Sequence, residues 1–185
     1  MSTWEQKRRH MHHYNHTANI YNTRYAEEQS LKIEAAIDGL NLSEGFVIDL
    51  GCGTGLLLKK IQGVAKDIVC LDVSKNMLKQ IEMRMKYTFN VHLILADADY
   101  SPFKQDCFDI CFAITLLQNM PSPHRTLQEI KRITKPDATI IITGLKKHFT
   151  QQGFLQLLKS TALDTVQLKT DDKLKCYVGI CAKHN

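Results

Sequence analysis

The chain has 185 residues, 44% hydrophobic and 23% charged, with 24 Lys and Arg against 19 Asp and Glu for a net charge of +5. That length suits one domain with a small extension, and the composition excludes wholesale disorder and fibrous repeats. No apolar run approaches the roughly 18 residues that a membrane-spanning helix needs, and the start lacks the apolar stretch of a secretory signal.

Residues 1–25 are rich in His, Tyr, Asn and Arg and poor in aliphatics, so they read as an extension of a domain over residues 26–185. Apolar periodicity predicts a helix over 27–40 that ends at Asp38-Gly39, then a strand over 46–50. A helix over 56–65, a strand over 67–73 and a helix over 74–87, with Ser74 as N-cap, come next. Strands follow at 91–97 and 108–115, then a helix over 122–135 closed by Pro136. A strand over 138–145, a helix over 150–163 and two strands at 165–169 and 176–182 complete the chain. Strands alternating with helices imply an α/β fold, a mostly parallel sheet with helices on both faces.

Six cysteines, at 52, 70, 107, 111, 176 and 181, match no zinc spacing and mostly sit in apolar runs, so they read as reduced thiols in a cytoplasmic protein. His10, His12, His13 and His16 crowd one segment, but His12 and His13 are adjacent and no Cys or carboxylate completes a set, so no metal site is expected. The cluster Lys7-Arg8-Arg9 suits either an RNA phosphate backbone or a solvated face.

The strongest signal is Val47-Ile48-Asp49-Leu50-Gly51-Cys52-Gly53-Thr54-Gly55, which follows a strand and opens a helix. Glycines there let the backbone turn and approach a ligand. The spacing is neither the dinucleotide fingerprint nor a P-loop, which argues against a pyrophosphate ligand. Asp72 stands 21 residues after Gly51, where an acid either accepts ribose hydroxyls or caps the helix beside Ser74. Two further marks are the acidic loop Ala96-Asp97-Ala98-Asp99-Tyr100-Ser101-Pro102-Phe103, and the strand and loop from Phe108 to Pro121.

VIDLGCGTG resembles motif I of the class I S-adenosylmethionine (SAM) dependent methyltransferases, and the later marks follow in that family's order. HYNHTANIYNTRYAEE is similar to the stretch before motif I in the ubiquinone/menaquinone-type members, a methyltransferase type 11 resemblance. The resemblance implies a Rossmann-like seven-stranded sheet, mostly parallel, with its last strand antiparallel. It implies SAM as cofactor, held by Asp49, Gly51, Cys52, Gly53 and Gly55, by Asp72 and Val73, by Asp97 and Ala98 at the adenine, and by Ala113. Residues 1–25 become a lid over the site, with Tyr14, Tyr21 and Tyr25 on the substrate side. Gln118 and Asn119 would face the transferring methyl or cap the loop, and no catalytic base is identified.

The acceptor is open, with a small molecule slightly favoured. One alternative is a tRNA or translation-factor methyltransferase that needs a small activator protein. It draws on the basic start and on the lack of any large insertion. Another is a SAM-binding scaffold without catalysis.

Overall fold

The computed structural model describes residues 3–43, 45–84 and 89–184, without the side chains of Thr3 and residues 19–26. A helix α1 (Thr3–Ile37) leads into β1 (Phe46–Leu50), α2 (Leu58–Ile61), β2 (Asp67–Asp72), α3 (Lys75–Glu82) and β3 (Val91–Leu95). Then come β4 (Phe108–Ala113), a short 3₁₀ turn (Leu117–Asn119), α4 (Pro123–Ile133), β5 (Thr134–Leu145), α5 (Gln151–Ser160), β6 (Leu163–Lys169) and β7 (Cys176–Lys183). The seven strands form one sheet in the order β3-β2-β1-β4-β5-β7-β6. Every pairing from β3 to β5 is parallel, and β7 runs antiparallel between β5 and β6. The order reverses between β1 and β4, which opens a crevice at the carboxyl ends of those strands.

Alternate residues of each inner strand serve opposite faces. Val47, Ile68 and Phe112 pack with α1, α2 and α3 residues such as Ile33, Ile61 and Ile81. Ile48, Val69 and Cys111 pack on the other face with Leu127 and Ile130 of α4 and Phe154 of α5. Burial on both faces explains why these strands read as continuous apolar runs.

Helix starts are set by side-chain caps. Ser74 Oγ accepts from Met77 N–H at 3.2 Å, and Thr150 Oγ1 accepts from Gly153 N–H at 3.0 Å. Most element bounds shift by a few residues from the sequence expectation, and two of the shifts have a clear physical cause. The helix expected over 122–135 stops at Ile133, and Thr134 already pairs with Phe108, so Pro136 lies inside β5. It sits where the β4–β5 register shifts and the ladder is interrupted, a place where a missing N–H costs nothing. The helix expected over 56–65 shrinks to Leu58–Ile61, because the glycine loop takes residues up to Leu57.

The N-terminal segment is part of one 35-residue helix that crosses the 25/26 boundary without a break. Its first half is tied to the α3 start: Asn15 Oδ1 accepts from Ser74 Oγ at 2.6 Å, and Asn76 Nδ2 donates to the Asn15 carbonyl at 3.0 Å. No described helix is long and apolar enough to cross a membrane.

Close packing at the β5–α5 contact yields a test. A Cβ on Gly144 would meet the buried ring of Phe154 at 2.5 Å, whereas one on Gly63 meets nothing within 4 Å. Gly144→Ala is expected to destabilise the fold by about 1–3 kcal/mol through overpacking. Gly63→Ala is expected to be near neutral, both read from urea midpoints.

Candidate functional site

The crevice beside the glycine loop is a cavity roofed by α1. Its walls come from the loop after β1 (Gly51, Gly53), the end of β2 (Asp72, Val73), the loop after β3 (Asp97, Ala98) and the segment after β4 (Ile114, Thr115, Leu116, Asn119). Lys7, His10 and Tyr14 of α1 close the top.

The loop backbone explains its glycines. Gly51 has φ +78° and no room for a Cβ, which would stand 2.9 Å from Leu116 Cδ1. Gly53 also has positive φ, +53°, but a Cβ there meets nothing within 4 Å, so the cavity is open above it. The turn is pinned from β2: Gly51 and Cys52 N–H groups donate to the Leu71 carbonyl at 2.8 and 3.0 Å.

Asp72 closes the arrangement. Its two carboxylate oxygens accept from Gly53 N–H and from Ser74 N–H, each at 2.8 Å. It thereby joins the glycine loop to the start of α3 while lining the cavity. Burial raises its pKa, against main-chain N–H groups of Ser74, Gly53 and Val73 that pull it down. Asp49 is held up to about 7 by burial first and by the Asp72 charge second. Two carboxyls in one enclosed site, both biased toward the neutral form, favour a cationic ligand that would restore their charge.

Asp97 and Asp99 are bound from the roof. Lys7 Nζ lies 2.7 Å from both Asp97 oxygens and 2.5 Å from Asp99 Oδ2, with the three side chains 9%, 16% and 3% exposed. Asp99 also accepts from Thr126 Oγ1 at 2.6 Å. Lys7 is therefore committed inside the protein, and Arg8 and Arg9 remain as the exposed part of the basic start.

Most of the sequence-selected residues converge here. Asp49, Gly51, Cys52, Gly53, Asp72, Val73, Asp97, Ala98, Tyr14 and Asn119 line the cavity. Gly55 instead faces Ile81 of α3, and Ala113 is a buried β4 residue of the α4–α5 face, so neither is on its wall. Gln118 lines a neighbouring cleft. The side chains of Tyr21 and Tyr25 lie outside the described residues.

Thr115 was not singled out from sequence. It holds φ +60°, an outlier for a β-branched residue, at the wall common to both cavities. Its N–H donates to Thr143 Oγ1 at 2.7 Å and its hydroxyl to Gln29 Oε1 at 3.1 Å, while Asn119 Nδ2 donates to its carbonyl at 2.9 Å. Those bonds hold the strained turn. No spacing signal reports such a residue, because two of its three partners come from α1 and β5.

Among known proteins, one family, two curated relatives and one solved structure bear on this chain. The family described as "Methyltransferase domain" matches residues 48–142, more than half of the chain. An uncharacterised protein of Methanocaldococcus jannaschii is 30% identical over 132 residues, 71% of this chain and 49% of that one. The demethylmenaquinone methyltransferase of Staphylococcus haemolyticus is 33% identical over 97 residues, 51% of this chain and 41% of that one. The chain thus spans about half the length of the curated relatives it matches. Among solved structures, a methyltransferase of Haloferax volcanii, itself termed putative and in complex with a methyltransferase activator, superposes with a TM-score of 0.75. That likeness, at 15% identity over 93% of this chain and 98% of that one, is one of fold.

The Asp49 carboxyl gives a stability signature. Its folded pKa near 7 lies above the unfolded value near 3.8, so the folded state keeps a proton that the unfolded chain releases. Stability is unaffected below the unfolded pKa, falls as pH rises between the two values, and levels off above the folded one. Asp49→Asn removes this slope. Unfolding free energies from urea titrations at pH 4 and pH 8 are expected to shift in favour of the variant by about 4 kcal/mol.

Proposed function

The chain belongs to the methyltransferase domain family, and on that premise we propose that it binds S-adenosylmethionine in the α1-roofed cavity and transfers its methyl to an acceptor. One observation carries this reading: the unobstructed backbone at Gly53 beside the Asp72 carboxylate, at the carboxyl ends of β1 and β2. The residues present fit the cofactor. A carboxylate offers about four acceptor sites, so Asp72 can take ribose hydroxyls beyond its two main-chain bonds. Asp49 and Asp72 suit a ligand that carries cationic groups. Asp97 and Ala98 flank the adenine, with Lys7 sharing the Asp97 carboxylate.

When bound, the cofactor supplies an electrophilic methyl group, and the protein's work is binding and alignment. Gly51 and Gly53 let the main chain reach the ligand. Asp72 holds the loop in place. The α1 helix, latched by Lys7, excludes water from above, which is the lid role of the N-terminal segment. Thr115 and Asn119 form the wall where the acceptor meets the methyl. The six cysteines are free and five are buried in the core, in keeping with a reducing, cytoplasmic setting.

A second reading has its own support. The fold matches a Haloferax volcanii chain that is in complex with an activator, and β3 is an edge strand with Leu95 56% exposed at its end and Phe89, 97% exposed, in the turn before its start. An activator subunit pairing on that edge would fit an enzyme acting on RNA or protein.

The test is incubation with methyl-labelled SAM and cell extract separated into small-molecule, RNA and protein fractions. Label is expected in one fraction, reduced at least tenfold by Asp72→Ala. Cofactor binding with no transfer to any fraction, with or without added activator, would leave only the non-catalytic reading.

A further inference from the structure

A second cleft of about 670 Å³ adjoins the cofactor cavity. Tyr14, Gln29, Thr115 and Asn119 belong to both walls, so the two spaces meet across the strained turn after β4. The far wall is basic. Lys146, Lys147 and His148 follow β5, Lys175 precedes β7, and Lys32 rises from α1. Two acids share the cleft, Glu28 and Asp172, with His13 and Tyr14 as its other titratable groups.

The lysines differ in what engages them. Lys32 is buried and donates to Glu28 Oε1 at 2.6 Å, while Lys175 takes the other oxygen at 2.9 Å. One carboxylate therefore serves two ammonium groups. Among the described residues Lys146 donates only to main-chain carbonyls, those of Thr170 and Asp171 at 3.3 and 3.0 Å, and sits over the Tyr177 ring. Among the described residues Lys147 has no hydrogen bond or ion pair. The same cleft is lined by Gln118, whose side-chain oxygen is buried without a hydrogen-bond partner. A surplus of ammonium groups at the rim and an unused buried acceptor beside the turn describe one complementary ligand.

We propose that this cleft takes the methyl acceptor and selects a small molecule bearing a carboxylate or phosphate. The anion sits against Lys146, Lys147 and Lys175, and an N–H or O–H of the acceptor donates to Gln118. The proposal rests on the cofactor reading above, which puts the methyl at the shared wall. Its size suits a small ligand, since binding clefts of roughly 300–1,000 Å³ enclose molecules of drug size. In transfer, the sulfonium carbon–sulfur bond breaks as the acceptor's nitrogen or oxygen bonds to the methyl. The sulfur keeps the electron pair as a thioether, and the acceptor's proton leaves to solvent.

The test uses the full chain, free and saturated with S-adenosylhomocysteine. Inorganic phosphate and acetate are titrated separately by calorimetry, with bulk tRNA as a competitor. Saturable binding of about one anion per chain is expected for phosphate, acetate or both, and which one binds tells a phosphorylated acceptor from a carboxylic acid. Lys147→Ala is expected to weaken that binding at least tenfold and Lys147→Arg to restore it, with S-adenosylhomocysteine affinity unchanged in both. No saturable anion binding, or binding equally tight in Lys147→Ala, would overturn the proposal. So would tRNA that displaces phosphate from this wall, since the acceptor would then be a nucleic acid. Failure of S-adenosylhomocysteine to bind would instead defeat the cofactor reading, and the titration of the free chain would still decide this one.

Discussion

The Asp72 carboxylate is the joint on which the site depends. It ends β2, accepts the Gly53 N–H on one oxygen and the Ser74 N–H on the other, and so fixes the glycine loop relative to α3. Ser74 in turn caps α3 and donates to Asn15 of α1. One buried acid thus links the loop, the helix behind it and the roof above it. Keeping a carboxylate in so enclosed a place works against its charge, and Asp49 beside it is pushed to about 7. The site holds unfavourable electrostatics that a cationic ligand would relieve.

The sheet was readable because burial on both faces writes itself into sequence as apolar runs bounded by glycines and acids. β1, β2 and β4 lie close to where the runs FVIDL, DIVCLDV and FDICFAIT put them, the last two ending one and two residues early. The glycine loop was equally readable, since a positive φ at Gly51 and Gly53 restricts which residues can stand there. Residues selected by those local demands converge on one cavity. The methyltransferase resemblance drawn from the same segment agrees with the family match over residues 48–142.

What was not readable depends on contacts distant in sequence. Lys7 looked like part of a basic patch. Its partners, Asp97 and Asp99, are some 90 residues away, and only the fold brings them together. The long α1 was hidden for a related reason: its first half is polar nearly all round, so it carries no apolar stripe. The basic cleft draws on α1, the turn after β4, the end of β5 and the loop before β7, and no motif spans four such segments. Pro136 misled because a proline usually closes a helix, whereas here the interrupted β4–β5 ladder has room for it.

The most direct test of the central claim is a crystal structure of the chain with S-adenosylhomocysteine. The account predicts ribose hydroxyls on the Asp72 carboxylate, main chain at Gly53 against the ligand, and the adenine between Val73 and Ala98 beneath α1. Density for the ligand elsewhere, or Asp72 bonded only to Gly53 and Ser74 with the nucleoside out of its reach, would contradict it.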